Sequence, residues 1–362
     1  MNSKFQIPNK AYPNYKNSKF KIQNSKLTMV RLAVIILNWN GVALLKQFIP
    51  AAFKHTQGDE VDLIVADNGS TDDSVAWLKE NYPEIKVIEF KENYGFAEGY
   101  NRAIDATDYP FTLLLNSDVE VPAGWWQPLL RFMEENPDVG ALQPKIKSYK
   151  DKNSFEYAGA AGGYLDRLGY PYCRGRLFDC VEKDNGQYDG DPVDITWASG
   201  AALLVRTDVY RKLGGLDPRF FAHMEEIDLC CRILAAGYRV VALSDSEIYH
   251  VGGASLNQGN PKKTYLNFRN NLLLLHKNLP AGKRGKILFW RRLMDTLAFG
   301  MFVAKLDFAN AKAVIRAHND FRKMRKLYPQ NDSKKTKGNK KYSGILTRRL
   351  IVFDRYLFGK KT

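Results

Sequence analysis

The chain has few cysteines and no long apolar segment, and both features limit the classes of protein to which it can belong. Its four cysteines are Cys173, Cys180, Cys230 and Cys231, and their spacing is not that of a zinc site. No uninterrupted apolar run approaches the ~18 residues that a membrane-spanning helix needs. The first residues lack the apolar stretch of a signal peptide, so reduced thiols and a cytoplasmic setting are expected.

Positive charge is scarce in the middle of the chain and concentrated at its ends. The 362 residues carry a formal net charge of +15. Residues 1–28 hold six lysines and no acidic residue, and residues 262–362 hold 26 basic and 5 acidic residues, which leaves −12 for the middle. No helix-turn-helix, zinc or RNA-recognition pattern is present, and the acidic middle argues against nucleic-acid binding. An anionic membrane surface fits this charge distribution better.

Three short apolar runs end in polar clusters. The runs cover residues 32–37, 61–66 and 111–115, and the clusters are NWNG at 38–41, DNGSTD at 67–72 and NSD at 116–118. Such runs are typical of buried parallel strands, and helical patterns lie between them. The alternation predicts an α/β fold with a doubly wound, mostly parallel sheet and helices on both faces. In such sheets ligands bind beyond the carboxyl ends of the strands, where all three clusters lie.

Acidic and apolar residues are crowded together in FFAHMEEIDLCCR at 220–232. Three carboxylates, Glu225, Glu226 and Asp228, fall within four residues and are framed by aromatic and aliphatic side chains. An apolar environment makes a carboxylate basic enough to accept a proton. The alternative is an acidic helix start favoured by the helix dipole. The polar clusters at the strand ends favour a catalytic role.

These motifs, in this order, resemble a known family. NWNG at 38–41, DNGS at 67–70, NYGFAEGYN at 93–101, NSD at 116–118 and EEIDLC at 225–230 lie within residues 30–280. Together they resemble the family 2 glycosyltransferases with the GT-A fold, and most of all the rhamnosyltransferase-like branch. The resemblance implies inverting transfer of a sugar, with rhamnose a candidate, from a nucleotide diphosphate donor. The implied acceptor is a hydroxyl of a glycan or lipid-linked molecule in cell-surface polysaccharide synthesis.

The resemblance also implies a divalent cation, Mg²⁺ or Mn²⁺, at the leaving diphosphate. Asp118 is the expected metal ligand, although Asn116 occupies the first position of the family's Asp-x-Asp signature. The alternative is that Asp118 only caps the following turn. His250 matches the position of a metal-binding histidine in the family, whereas a lone histidine is more often structural. A histidine ligand leaves Mn²⁺ as plausible as Mg²⁺.

The family places the nucleotide donor at the ends of the first strands and at a Gly-rich turn. Asp67 lies where the family binds the nucleobase, and its carboxylate can accept a hydrogen bond from N3–H of uracil or thymine. This suits a UDP- or dTDP-linked sugar, although DNGS is also an ordinary turn signal. Backbone N–H groups of the Gly-rich turn can approach the diphosphate. The expected donor-binding residues are Asn38, Asn40, Asp67, Gly95, Gly99, Asn101 and Ser117.

The family's Glu-Asp-x-Asp motif implies the catalytic roles. Glu226 occupies the position of the base, with a side chain one methylene longer than the usual Asp. Asp228 is the alternative base or a partner that holds the site, and Glu225 orients the acceptor or faces an arginine. In WASGA at 197–201, Trp197 either stacks on a sugar or belongs to the core, and core is slightly favoured. Gly200 would leave room for the acceptor.

Three regions are expected along the chain. Residues 1–28 form a disordered basic tail in which NSKF at 2–5 recurs at 17–20, and Met29 is suspected to be the natural start. Residues 29–261 form the GT-A nucleotide-sugar-binding and catalytic domain. Residues 262–362 form a basic helical region with a Lys-rich loop at 332–341 and a last helix at 344–357. This region either lies on the cytoplasmic face of the membrane or packs on the catalytic domain and mediates dimers, so the oligomeric state is left open.

Two functions from other classes are kept as alternatives. A nucleotidyltransferase that forms nucleotide sugars would need a Gly-rich, Lys- or Arg-bearing loop after the first strand, and NWNG is not such a loop. A non-catalytic glycan- or membrane-binding module would leave the acids at 225, 226 and 228 without a task.

Overall fold

The structure is a computed structural model that describes residues 30–252, 259–328, 345–356 and 358–359. The expectations for residues 1–28 and for the loop at 332–341 lie outside these residues. The strands are β1 (Leu32–Asn38), β2 (Val61–Asp67), β3 (Lys86–Glu89), β4 (Phe111–Asn116), β5 (Val119–Glu120), β6 (Val139–Ser148), β7 (Gly163–Leu165), β8 (Pro171–Cys173), β9 (Arg176–Leu177), β10 (Cys180–Val181), β11 (Val193–Asp194), β12 (Ala202–Arg206) and β13 (Arg239–His250). The α-helices are α1 (Val42–His55), α2 (Ser74–Asn81), α3 (Gly95–Asp105), α4 (Gln127–Glu135), α5 (Thr207–Lys212), α6 (Glu225–Ala235), α7 (Pro261–Asn278), α8 (Ala281–Ala304), α9 (Phe308–Met324) and α10 (Ile351–Tyr356).

The main sheet is mixed and mostly parallel. Its strand order is β11-β13-β6-β12-β4-β1-β2-β3, and β5 pairs with β13. The pairs β1–β2, β1–β4, β2–β3 and β6–β13 are parallel, whereas β12 is antiparallel to both of its neighbours. A smaller antiparallel sheet has the order β10-β9-β8-β7. The α/β class and the mostly parallel sheet predicted from the sequence are confirmed.

The continuous apolar strands reflect burial on both faces of the sheet. Successive residues of a strand point to opposite faces, so a strand covered on both sides needs apolar residues throughout. In β1, Ala33 and Ile35 join the core cluster that includes Tyr100 of α3. Val34 and Ile36 join the opposite cluster, which includes the apolar face of α1.

The strand order creates a crevice at the carboxyl end of β1. The chain runs from β1 to β2 and β3 on one side of β1, and then returns to β4 on its other side. Ligands of open α/β sheets bind where the order reverses in this way. In register, Asn38 pairs with Asp67, and Leu37 pairs with Asn116. The three polar clusters therefore meet at one edge of the sheet, as the sequence predicted.

The C-terminal helices form a layered extension. Helix α7 packs against α6, α8 and α9, and its leucines at 272–275 are buried. Helix α8 is different, because only Leu288, Arg291 and Asp295 of its 24 residues are buried. None of the helices in the described ranges has the length and apolar character to cross a membrane. The predicted last helix at 344–357 is shorter in the structure, where α10 covers Ile351–Tyr356.

Candidate active site

The loops after β1 and β2 are bound to each other by side-chain hydrogen bonds. Asn38 Nδ2 donates to Asp67 Oδ1 at 2.9 Å, and Ser70 Oγ donates to the same oxygen at 2.6 Å. The backbone N–H of Asn40 donates to Ser70 Oγ, and Asn40 Oδ1 accepts from the backbone N–H of Thr71 at 2.7 Å. Asp67 and Asn38 are both buried. The structure thus brings Asn38, Asn40 and Asp67 together, and Asp67 also stiffens the crevice wall.

Two predicted metal ligands face each other at the end of the sheet. His250 Nε2 lies 3.1 Å from Asp118 Oδ1 and 3.4 Å from Asn116 Nδ2. The side chains of Asp118 and His250 are both buried. The pairing of β5 with β13 places Val119, the residue after Asp118, opposite His250. The other ring nitrogen, His250 Nδ1, lies 3.6 Å from Glu156 Oε1. Two carboxylates therefore flank one imidazole on opposite edges of the ring.

The carboxylates control the charge of this histidine. Burial alone lowers the pKa of His250, but the hydrogen bond with Asp118 and the negative charges of Glu156 and Asp118 outweigh it and raise the pKa to about 10. The imidazole is protonated at neutral pH as long as no cation replaces its proton. Metal binding at Nε2 would release that proton, which is the usual linkage between metal binding and ligand pKa.

The side chains near His250 suit a metal ion that is also coordinated by a bound ligand. Within the described part of the chain, no group of three or more His, Cys, Asp or Glu side chains is arranged to hold a metal ion. Asp118 and His250 converge, whereas Glu156 lies on the far edge of the ring. The residues present therefore suit a divalent cation that takes its remaining oxygen ligands from a bound diphosphate and water.

The two glutamates at the start of α6 have raised pKa values. Burial raises the pKa of Glu226 to about 7 and, with the neighbouring charge of Glu226, raises that of Glu225 well above its ordinary value. Oε2 of each side chain is buried and has no hydrogen-bond partner. A carboxylate that is basic near neutral pH and has an unpartnered oxygen has the properties of a general base.

Asp228 has a different environment from its two neighbours. Its side chain is fully buried, and its Oδ2 lies 2.8 Å from Nζ of Lys277 and from the guanidinium of Arg232. Its Oδ1 accepts from Asn278 Nδ2, also at 2.8 Å. Every oxygen of this carboxylate is engaged, so the geometry favours the positioning role over the alternative of a second base. Lys277 also pairs with Asp217, which connects α6 and α7 to the preceding loop.

The loop before α6 is strained and is clamped by α7. Phe221, His223 and Met224 have positive φ angles of 69°, 67° and 77°, which cost of order 1–3 kcal/mol each. Asn270 Nδ2 donates to the backbone carbonyls of Phe220, Ala222 and His223 at 2.8–2.9 Å. Arg269 Nη2 donates to the carbonyl of Phe220 at 2.8 Å, and its Nε donates to Asn270 Oδ1. These contacts compensate the strain and fix the entry into α6.

Replacing Asn270 with Ala is expected to lower turnover about tenfold while donor affinity stays within about twofold of the parent. The reason is that the carbonyls of Ala222 and His223 lose the Asn270 donor, whereas the Phe220 carbonyl keeps Arg269, so the start of α6 shifts. Leaving a buried carbonyl unpaired costs about 1–3 kcal/mol at most. Steady-state kinetics and isothermal titration with the donor nucleotide measure the two effects. The matched control is Asn271→Ala, because Asn271 is equally buried but donates to Gly169 instead. Equal kinetic losses in both variants would argue against a positioning role of Asn270.

Several predicted residues have packing roles in the structure. Asn101 Oδ1 accepts from Tyr210 and from the backbone N–H of Leu216, and its Nδ2 donates to the Leu216 carbonyl. These bonds give Asn101 a packing role, and its expected contact with the donor stays a prediction. At Gly99, a Cβ would come within 3.0 Å of Leu37, so this glycine allows α3 to approach β1. Trp197 is buried and donates from Nε1 to the Tyr164 carbonyl, which supports the core alternative over sugar stacking.

Other predicted residues are still available to a ligand. Gly95 has φ 79°, and a Cβ there would meet nothing within 4 Å. At Gly200 a Cβ would lie 3.5 Å from Phe96 and 3.9 Å from Cβ of Glu226, so this glycine is next to the proposed base. Ser117 is half-buried between Asn116 and Asp118. The expected roles of these three residues stay predictions.

Glu156 and His223 are site residues that sequence reasoning missed. Glu156 is buried, and Gly252 leaves room for it, because a Cβ there would come within 2.6 Å of Glu156 Oε1. No motif surrounds Glu156, so no sequence signal pointed to it. His223 lies inside the acidic motif; burial and then the charge of Lys263 lower its pKa to about 4, so it is neutral. Its Nε2 is buried without a hydrogen-bond partner.

Unpartnered buried polar atoms gather on the motif residues. In the described part of the chain, ten buried side-chain atoms have no hydrogen-bond partner. Five of them are Asn38 Oδ1, His223 Nε2, Glu225 Oε2, Glu226 Oε2 and His250 Nδ1. Because buried polar groups are normally satisfied, this concentration indicates a site that is completed by a ligand.

Solved structures with the same architecture define the class of the fold. The protein superimposes on S. aureus TarS 1-349 in complex with UDP-GlcNAc with a TM-score of 0.53 and 17% identity, covering 80% of each chain. It superimposes on GalNAc-T7 with UDP, GalNAc and Mn²⁺ with a TM-score of 0.53 and 14% identity, covering 69% of this chain and 48% of that one. The fold is therefore the GT-A type, with an additional set of C-terminal helices.

Sequence comparison relates part of the chain to a known family. Residues 33–198 match the sequence model of glycosyl transferase family 2. The chain is 28% identical over 237 residues to the N-acetylglucosaminyl-diphospho-decaprenol L-rhamnosyltransferase of Mycobacterium tuberculosis, covering 60% of this chain and 75% of that protein. Residues 33–198 therefore carry a family 2 glycosyl transferase domain, as the motifs predicted. The similarity to the mycobacterial enzyme is consistent with the rhamnosyltransferase-like branch that the motifs resemble.

Proposed function

We propose that the protein is an inverting, metal-dependent glycosyltransferase that uses a UDP- or dTDP-linked sugar. The observation that carries this proposal is Glu226, whose pKa burial raises to about 7 and whose Oε2 has no partner. It stands at the start of α6, and a Cβ at Gly200 would lie 3.9 Å from its own Cβ. The absence of a side chain at Gly200 would leave space for the acceptor. In the family this position belongs to the base that activates the acceptor.

The reaction follows from these groups. Glu226 accepts the proton of an acceptor hydroxyl, and the hydroxyl oxygen forms a bond to the anomeric carbon of the donor sugar. The bond from that carbon to the diphosphate breaks, and the nucleoside diphosphate leaves with the bonding electrons. One displacement of this kind inverts the anomeric configuration. Asp228, Lys277 and Asn270 hold α6 and its preceding loop in place during this step.

The leaving group needs charge stabilisation. Asp118 and His250 would hold a divalent cation against the diphosphate, and a cation bound there stabilises the negative charge of the leaving group. Glu156 Oε1 lies 3.6 Å from the second ring nitrogen of His250, and its negative charge would favour this orientation of the ring. Asn38, Asn40 and Asp67 line the crevice wall where the nucleobase and ribose would lie.

A lipid-linked acceptor is the second part of the proposal. The mycobacterial relative is named for an acceptor on a decaprenyl diphosphate, and residues 262–362 of this chain are strongly basic. Both observations favour an enzyme that works at the cytoplasmic face of a membrane on a lipid-linked glycan precursor. Rhamnose is the sugar that the relative suggests.

A donor screen tests the proposed function. We expect release of UDP or dTDP from one nucleotide sugar in the presence of Mn²⁺ or Mg²⁺, and faster release when a polyprenyl-diphosphate-linked sugar is added. NMR of the product should show the inverted anomeric configuration. Formation of a nucleotide sugar from a nucleoside triphosphate and a sugar 1-phosphate would instead support the nucleotidyltransferase alternative. Absence of both activities, with glycan binding retained, would support the binding module.

A further inference from the structure

Helix α8 exposes an apolar stripe. Phe289, Leu293, Leu297 and Met301 recur every four residues, and between 43% and 64% of each side chain is exposed. Residues spaced by four lie on one face of a helix. Trp290 is beside them and is 45% exposed. An exposed row of five large apolar side chains on one helix is typical of a surface that contacts something apolar.

A groove lies between this helix and α9. It has a volume of about 380 Å³ and is lined by apolar and cationic side chains, which include Phe299, Val314, Ile315, Arg292 and Arg322. Its floor is Asp295, which is 1% exposed.

The aspartate at the floor is already neutralised. Its Oδ1 accepts from Arg291 Nε at 3.1 Å, and its Oδ2 lies 3.1 Å from His318 Nε2. Arg292 and Arg322, by contrast, form no ion pair with any described residue. Burial, followed by the charges of Arg325 and Arg322, lowers the pKa of Arg292, so these arginines repel one another. The groove therefore has an excess of positive charge that nothing in the described chain compensates.

The residues around the groove also carry a net positive charge. Residues 281–324 contain ten lysines and arginines and three aspartates. A second copy of the chain would bring the same cations to the same stripe, so like charges would oppose a symmetric dimer on this face. An anionic surface with an apolar interior complements both the charge of the groove and the apolar stripe.

We propose that the α8–α9 groove binds the phosphate headgroup of an anionic phospholipid through Arg292 and Arg322, while the stripe of Phe289, Trp290, Leu293, Leu297 and Met301 enters the outer acyl region. This inference rests on the proposed function. It identifies the surface that would place the active site at the membrane. The helix would lie along the bilayer plane, as amphipathic basic helices do.

Vesicle flotation with the full chain tests the proposal. We expect binding to vesicles of phosphatidylcholine and phosphatidylglycerol, at least about tenfold weaker binding to phosphatidylcholine alone, and release by high salt. Arg292→Gln combined with Arg322→Gln should weaken binding to the anionic vesicles at least about tenfold. The charge-matched control is Lys54→Gln combined with Lys212→Gln, because both lysines are exposed on the catalytic domain. This control should bind within about twofold of the parent.

Separate measurements test the contact between the apolar stripe and the acyl chains. Fluorescence quenching by brominated acyl chains should be reduced in Trp290→Phe, and Leu297→Ser should bind more weakly than the control Val181→Ser, which changes an exposed residue elsewhere. Equal binding to neutral and anionic vesicles, or full binding by the Arg292/Arg322 variant, would overturn the proposal. So would a dimer in sedimentation velocity that Leu297→Ser dissociates. Donor hydrolysis without vesicles, which the Arg292/Arg322 variant should retain, reports separately on the proposed function.

Discussion

Replacing Glu226 with Gln is expected to lower turnover at least ~100-fold, with donor affinity nearly unchanged. The amide has the shape of the carboxyl group but cannot accept the proton of the acceptor hydroxyl. Steady-state kinetics and donor titration measure the two quantities. The matched control is Glu225→Gln, the adjacent buried glutamate, which should lose less activity. Near-normal turnover of Glu226→Gln would contradict the assignment and return Asp228 to consideration.

The ionisation of Glu226 makes two further readouts available. A base must be deprotonated, so activity should rise with pH through about 7, the pKa of this group. Its folded-state pKa is above its ordinary value of 4.5, so the folded protein binds the proton more tightly than the unfolded chain does, and stability falls as the pH rises between these values. Glu226→Gln removes this penalty. The unfolding temperature of the variant at pH 8 should therefore equal or exceed that of the parent, which also shows that the variant is folded.

Replacing Asp118 with Asn is expected to lower kcat/KM at least ~100-fold, because cation stabilisation of a leaving group contributes several kcal/mol. The apparent dissociation constant of Mn²⁺ in the presence of the donor nucleotide should rise, and electron paramagnetic resonance of free Mn²⁺ measures it. Glu120→Gln is a suitable control, because Glu120 follows in β5 and pairs with Lys152 on the surface. It removes one nearby negative charge but no predicted ligand.

Chelation gives an independent test of the same hypothesis. Exhaustive treatment with EDTA should abolish nucleotide release by the parent, and Mn²⁺ or Mg²⁺ should restore it. Full activity after chelation would refute the metal role of Asp118 and His250. The pair would then be an ordinary buried ion pair, which the distance of 3.1 Å and the raised pKa of His250 would also permit.

The acidic motif shows how far sequence reasoning reached and where it stopped. The sequence showed three carboxylates crowded among apolar residues, with an acidic helix start as the alternative interpretation. The structure combines the two, because the acids lie in the first turn of α6 and Glu225 and Asp228 are buried. Their separate roles depend on residues far along the chain. Lys277 and Asn278, on α7, neutralise and satisfy Asp228, whereas no lysine or arginine of the described ranges forms an ion pair with Glu226. The local sequence does not show which of three neighbouring acids will form an ion pair with a lysine that is distant along the chain.

The Gly-rich turn shows packing roles that the motif did not indicate. Gly99 and Asn101 matched a motif and were expected to contact the donor. In the structure, Gly99 lets α3 pack close to β1, and Asn101 holds the segment around Leu216. Residues of such a motif can bind the ligand, or they can pack the turn that holds the ligand-binding residues. Only the tertiary contacts distinguish the two uses.

The sequence by itself determined the three strands β1, β2 and β4, the helices between them and the edge of the sheet at which the polar clusters meet. These features depend on local hydrophobic patterns and turn chemistry, and the parallel order brings the strand ends together once the strands are known. Only the tertiary structure decided which carboxylates are buried, which are paired, and that Glu156 supports His250 from across the fold. The physical reason is that burial and ion pairing set the charge of a site, and both depend on residues that are distant in sequence but adjacent in space.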